Sequence, residues 1–433
     1  MTIEIRPLGV TCNLQCQYCY QHPQRDAGNV LPTYDMERIK ASVEKEGGHF
    51  SLFGGEALLM PEEDLEELWS WGYEKYGQNG VQTNGTLIND NRIRMFKQYN
   101  VHVGVSVDGP GELNDVRWAG SLERTREMTA KTHANIERLA KEGVRWSLIV
   151  TLHRNNATRD KLPLMHDWFK YMDSLGCTGA RLHIMEVDDQ AVMQKYALST
   201  EENLEALLSF LKVQEELSFG FSVFTDMRNL LKGQDQSVTC IWNACDSYTT
   251  RAVRGIEGDG QRSNCGRTSK DGIDFVKADI EGFERYLALY HTPQEHGGCK
   301  DCRFFLLCKG NCPGTAIDRD WRNRTMYCQV WMGLFRHLED QMLSQGLTPV
   351  SVRPDRRQLE KVFLDAWAQG RNMNIASALS QLCRGNGSPA SGGHGDAHGD
   401  HTDAHGDAHG DHTDAHGDHR DAHSDHRDAH GDQ

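Results

Sequence analysis

No run of apolar residues in this 433-residue chain approaches the ~20 that a membrane span requires. The opening stretch, MTIEIRPLGVTC, has neither the basic n-region nor the apolar h-region of a secretory signal. A soluble, cytoplasmic protein with no membrane partner is therefore expected. Basic blocks are also missing. Lys and Arg total 47 against 62 Asp and Glu, a net charge of −15, and the main body offers no phosphate-binding stripe. That excludes nucleic acid as an expected partner. The last 40 residues hold eleven Asp and two Arg, a net of −9, which leaves −6 for residues 1–393, so the acidity belongs mostly to the tail. Cysteine, by contrast, is plentiful. Thirteen of them in a chain without a secretory signal point to metal or redox chemistry, because cytosolic thiol pools keep cysteines reduced.

The length predicts two or three domains with ample core. Over residues 3–190, short β-rich runs (IEIRPL, HFSLFGG, GVQTNG, VHVGVSVDG, RWSLIVTLH, GARLHIMEV) alternate with helical patterns near Met36 to Glu46, Glu62 to Tyr76, Ala130 to Lys141 and Leu162 to Leu175. About six parallel strands with helices outside predict an α/β fold, an open (β/α)6 barrel. A single long helical segment is expected from Thr200 to Leu231, closing a first domain at 1–235. Residues 236–335 read as a separate cysteine-bearing domain, 336–384 as helical, 385–393 (GNGSPASGG) as a flexible linker and 394–433 as a disordered repeat.

The cysteines fall into three groups. Cys12, Cys16 and Cys19 are spaced C-x3-C-x2-C after the first strand, on the rim where barrel loops place active sites. Three thiolates can hold three irons of a 4Fe-4S cluster and leave the fourth open to a ligand. Cys240, Cys245 and Cys265 form the second group. The third is C-x2-C-x5-C-x3-C at Cys299, Cys302, Cys308 and Cys312, followed by Cys328. Eight thiolates suit two closed four-cysteine sites, and C-x2-C spacing suits zinc as well as iron-sulfur. Cys177 and Cys383 belong to no motif.

The first group resembles the cluster motif of the radical S-adenosylmethionine (SAM) superfamily, and further landmarks follow in order. Gly54-Gly55-Glu56-Ala57 resembles the family's GGEP motif, with Ala57 where proline is usual. Gln82-Thr83-Asn84-Gly85-Thr86 follows the third strand, and Ser106-Val107-Asp108-Gly109-Pro110 ends the fourth. The resemblance implies that Gly54, Gly55 and Glu56 hold the amino group of SAM's methionine, and that Ser106 and Asp108 lie around its ribose. Arg117, in Asn114-Asp115-Val116-Arg117, stands for the arginine that commonly follows. The stretch C-x14-G-x4-C from Cys245 through Gly260 to Cys265, with the later quartet, resembles the SPASM domain of peptide-maturing radical SAM enzymes. That resemblance implies a first auxiliary cluster on Cys240, Cys245, Cys265 and Cys312 and a second on Cys299, Cys302, Cys308 and Cys328. Three 4Fe-4S clusters, SAM and a low-potential electron donor such as flavodoxin or ferredoxin are the implied cofactors and partner. In sulfatase-maturing SPASM enzymes an aspartate follows the third auxiliary cysteine. Here Gly266 stands there, which weakens a sulfatase assignment and leaves the general base unassigned. Asp246, beside Cys245, is expected to be exposed and solvated.

From His394 the chain reads as eleven consecutive His-x-Asp units, many followed by Ala. No large apolar residue is present to build a core. His- and Asp-rich tracts bind divalent metals, so a metal-buffering tail is one reading. The sharper one is that the tail is the substrate. SPASM enzymes act on ribosomally made peptides, and some form three-residue cyclophanes that join an aromatic ring to the β-carbon two residues on. In His-x-Asp the imidazole supplies the ring and the aspartate the β-CH2. A nine-residue tether would raise the effective substrate concentration to roughly millimolar. With the substrate fused, no small leader-capturing domain is expected ahead of the first strand. The implied reaction uses a 5′-deoxyadenosyl radical to take hydrogen from the aspartate, with the auxiliary clusters accepting the surplus electron. Modification of a separate peptide, or epimerisation, stands as the alternative.

Overall fold

The computed structural model describes residues 2–22, 33–186, 188–246, 248–268 and 278–385. Each strand of the first half is followed by a helix that covers it. In chain order these are β1 (Ile3–Arg6), α1 (Met36–Glu46), β2 (Phe50–Leu52), α2 (Glu62–Tyr76), β3 (Asn79–Thr83), α3 (Asp90–Gln98), β4 (Val101–Ser106), α4 (Leu122–Lys141), β5 (Trp146–Leu152), α5 (Leu162–Ser174) and β6 (Ala180–Ile184). Successive strands pair in parallel, with registers such as Ile3↔Phe50 and Val103↔Trp146. This is the arrangement that crossover helices impose.

Local chemistry sets the boundaries. Asp35 caps α1 by accepting from the Arg38 N–H, and Gly47, at φ 65°, ends it. α4 starts eight residues earlier than its apolar pattern suggests. Its first turns bury Thr125 and Thr129, whose hydroxyls donate to backbone carbonyls one turn back, and not aliphatic residues. The expected single helix at 200–231 is two, α7 (Thr200–Val213) and α8 (Ser222–Leu231), preceded by α6 (Gln190–Tyr196). The break follows from Phe219 and Phe221, which pack edge-on against Phe169, while the Phe221 N–H donates to Gln214. Burial of two phenylalanines outweighs the one or two backbone bonds a straight helix would add.

The sheet crosses the 235/236 sequence boundary. β7 (Arg254–Glu257) pairs in parallel with β1, and β8 (Arg262–Ser263) returns antiparallel, giving the order β6-β5-β4-β3-β2-β1-β7-β8. Beyond it lie α9 (Glu284–His291), α10 (Phe305–Cys308), α11 (Cys328–Ser344), α12 (Arg356–Ala368) and α13 (Ile375–Gly385). Trp242 packs against Trp331 and Phe335 to fix the cysteine-bearing loops on α11. The linker and repeat, 386–433, lie outside the described residues. No helix among the described residues is long and apolar enough to cross a membrane.

Candidate functional site

Alternation along the strands decides what faces inward. On β1, Ile3 and Ile5 are buried beneath helices, and Glu4 and Arg6 line a central cavity of ≈ 250 Å³. Gln82 from β3, Ser106 from β4, Thr151 from β5 and Arg181 and His183 from β6 complete its polar wall.

The cysteine loop after β1 closes one part of the cavity, bringing Cys12, Cys16 and Cys19 to its surface together with Gly54, Gly55, Ser106 and Arg117. Close backbone contact holds the loop there. The Gly55 N–H donates to the Gly9 carbonyl at 3.0 Å, and the Glu56 N–H donates to the Thr11 carbonyl at 2.8 Å. A Cβ on Gly55 would lie 2.0 Å from the Thr11 oxygen, and one on Gly54, at φ +117°, 2.4 Å from the Gly9 oxygen. These glycines thus admit the chain's own cysteine loop.

Glu56 and Asp108 sit behind the cavity wall. The Glu56 carboxylate is 1% exposed and accepts from the Leu58 N–H, the Thr83 hydroxyl and the Asn84 N–H, locking the β2 and β3 loops together. Asp108 is fully buried. It accepts from the Tyr18 hydroxyl (2.6 Å), from Arg117 (3.1 Å) and from the Thr151 N–H (2.9 Å), with His153 Nε2 at 3.4 Å. Tyr18 lies between Cys16 and Cys19, so Asp108 anchors the cysteine loop to β4 and β5. Burial opposes its charge, but Arg117, His153 and Tyr18 outweigh that and hold its pKa at about 2.

Cys240, Cys245, Cys265 and Cys312 come together on the wall of the same cavity. Cys299, Cys302, Cys308 and Cys328 line a second, smaller cavity with Phe304, Phe305 and Trp331. Asp246 is not solvated. It is 4% exposed and accepts from the Tyr248 and Thr249 N–H groups, a turn that shapes the Cys245 loop. The auxiliary loops also bring Arg267, immediately after Gly266, into an ion pair with Glu186 at 2.6 Å. Glu4, Arg181, His183, Glu186 and Arg267 also line the cavity, and no sequence motif marks them.

Residues 7–162 match the family model of the radical SAM superfamily. The chain carries a radical SAM domain. It is 22% identical over 388 residues to a serine-type anaerobic sulfatase-maturating enzyme of Bacteroides thetaiotaomicron, spanning 78% of this chain and 90% of that one. A cysteine-type anaerobic sulfatase-maturating enzyme of Clostridium perfringens is 24% identical over 373 residues, spanning 78% and 96%. Among solved structures, native anSMEcpe with bound AdoMet shares the fold, with a TM-score of 0.63 at 22% identity over 79% of this chain and 98% of that one.

A radical SAM domain implies a 4Fe-4S cluster and SAM, and the residues present fit them. Three thiols from one loop reach the cavity, and the Leu14 N–H points at the Cys12 sulfur at 3.5 Å, the kind of contact that stabilises a cluster thiolate. Burial pushes the Cys16, Cys299 and Cys312 thiols up to about 12 and Cys265 to about 11, so cluster binding must displace their protons. Among the described residues no three His, Cys, Asp or Glu side chains are placed to hold a single metal ion.

Proposed function

We propose that the chain is a radical SAM peptide maturase that joins the histidine ring to the aspartate β-carbon within His-x-Asp units, acting foremost on its own residues 394–433. One observation carries this reading: Cys12, Cys16 and Cys19 share a single cavity with Cys240, Cys245, Cys265 and Cys312. A peptide in that cavity would lie between the proposed source of hydrogen-abstracting chemistry and a closed cluster able to accept an electron. When bound, SAM and its cluster would supply hydrogen abstraction, and the two four-cysteine sites an electron exit. The chain's own part is positioning, which sets which C–H bond meets the reactive carbon. Arg117, Ser106 and Tyr18 line the proposed SAM side, while Asp108 and Glu56 hold that side rigid from behind. A solved relative, anSMEcpe, has been captured with AdoMet and the Cp18Cys peptide, which supports a peptide as the substrate class.

Each crosslink removes two hydrogens from the peptide. One would leave in 5′-deoxyadenosine, and the other would leave as a proton, its electron accepted by the clusters that the two four-cysteine sites would hold. Reconstitution with iron, sulfide, SAM and reductant without oxygen, then digestion and mass spectrometry of residues 385–433, tests this. The expected result is loss of two hydrogen masses per modified His-x-Asp unit, with fragment ions bridging His and Asp. An unchanged mass alongside 5′-deoxyadenosine release would instead indicate epimerisation or a separate peptide substrate, with the tail a metal-binding appendage.

A further inference from the structure

Arg6, Arg117 and Arg267 on the cavity wall each have an acid of their own: Glu257 at 2.8 Å, Asp108 at 3.1 Å and Glu186 at 2.6 Å. Arg181 is different. It lines the same cavity from β6, and no described residue gives its guanidinium an ion pair or hydrogen bond. Asp226, which feels its charge, spends its carboxylate on the Thr239 N–H and hydroxyl. A partly buried, unmatched guanidinium carries a desolvation cost that a carboxylate ligand would offset.

His183, two residues along on the same strand face, reinforces this polarity. Arg267 lies 2.8 Å from its Nδ1, and a guanidinium can only donate, so Nδ1 accepts and the neutral ring carries its hydrogen on Nε2. Burial first, then Arg267, Arg181 and Arg117, keep that ring neutral. No described residue bonds Nε2, so it is available as a donor beside Arg181. On the wall formed by β1, five places along in the strand order, Glu4 lines the cavity; it feels the charge of Arg6 two residues on, but no described residue gives its carboxylate a hydrogen bond or a short ion pair. With Arg6, Arg117 and Arg267 each paired to an acid, the charges left on the cavity wall are the Arg181 guanidinium, with a neighbouring N–H donor, and the Glu4 carboxylate.

We propose that Arg181 and His183 form a carboxylate subsite and Glu4 an imidazole N–H subsite, so that this cavity reads an acidic, histidine-bearing peptide of the His-x-Asp kind. The inference rests on the peptide-maturase reading above and names the side chains that select the peptide. Carboxylate recognition by Arg181 has two conceivable sources, the peptide's aspartate and the methionyl carboxylate of SAM.

The test uses the full chain with its eleven tail aspartates changed to Asn, so that the tail competes weakly. Two fluorescent peptides are compared as probes: Ala-His-Gly-Asp-His-Thr-Asp-Ala, which is the sequence of residues 397–404, and the same peptide with both Asp replaced by Asn. Anisotropy should show the Asp peptide bound about tenfold more tightly, the size of one charge-assisted hydrogen-bonded pair. Arg181→Gln should erase that preference and leave binding of labelled SAM unchanged, Arg181→Lys should restore part of it, and Glu4→Gln should weaken both peptides alike. Thermal midpoint and iron content establish that each variant is folded. Survival of the Asp preference in Arg181→Gln overturns the proposal, as does weakened SAM binding with the preference intact, which would assign Arg181 to SAM. Absence of any preference in the parent chain also overturns it, whatever the mass of the tail. A preference found in a protein whose native tail stays unmodified keeps the subsite and removes the crosslinking reading.

Discussion

Asp108→Ala is expected to lower folding stability by about 3–5 kcal/mol, the cost of leaving one member of a buried ion pair without the other. Asp108 is fully buried and Arg117 is 8% exposed, so water cannot replace the lost carboxylate without opening the site. The Tyr18 hydroxyl and the Thr151 N–H lose their acceptor at the same time. Because Tyr18 sits inside the cysteine loop, reconstituted iron should fall along with the urea midpoint. Asp108→Asn keeps an acceptor but not the charge and should cost less. The pH dependence has a fixed sign. A carboxyl held at about 2, below its ordinary 3.8, contributes its stability above 3.8 and loses it as pH falls through about 2. The gap between wild type and Asp108→Asn should therefore close across that window. A gap that stays constant from neutral pH down to pH ~2 would contradict the assignment.

Replacing Cys12, Cys16 and Cys19 together by Ala is expected to abolish SAM cleavage while leaving about two thirds of the iron of the reconstituted protein, since only one of three proposed cluster sites is removed. The other eight proposed cluster cysteines lie elsewhere in the chain, beyond residue 239. Cys240, Cys245, Cys265 and Cys312 line the same cavity from other parts of the chain, and Cys299, Cys302, Cys308 and Cys328 line a cavity of their own. Iron content with SAM turnover checks this, and residual cleavage above background, or iron unchanged from wild type, would contradict it. Loading should also be favoured at higher pH, because burial holds the thiols protonated until iron displaces the proton.

The cysteine groups were legible because ligand spacing is a local property that survives without knowledge of the fold. The same holds for α1, whose capping Asp35 and terminating Gly47 are written in the chain. Side-chain direction was not legible from motif order. Glu56 and Asp108 occur where the resemblance implies SAM contacts, yet both spend their carboxylates on the protein's own N–H and O–H groups. A motif gives position along the chain, whereas burial and hydrogen-bond satisfaction decide which way an acid turns. The missed residues did leave a signal. In a parallel sheet covered by helices both faces tend to be apolar, and the alternation Ile-Glu-Ile-Arg in β1 and Ala-Arg-Leu-His-Ile in β6 breaks that rule at every second position. Polar residues at period two in such strands point into a lumen. The split of 200–231 was hidden because Phe219 and Phe221 fit an apolar helical pattern until the partner face is known.

Crosslinking at His-x-Asp requires that hydrogen be taken from the aspartate β-carbon of the tail. The most direct measurement uses full-length protein grown with aspartate deuterated at the β-carbon, reconstituted without oxygen and turned over with unlabelled SAM. The account predicts 5′-deoxyadenosine one deuterium heavier, with a matching loss of label at each crosslinked His-x-Asp unit. Unlabelled 5′-deoxyadenosine from β-deuterated tail, together with label transfer when aspartate is deuterated at the α-carbon instead, would contradict it.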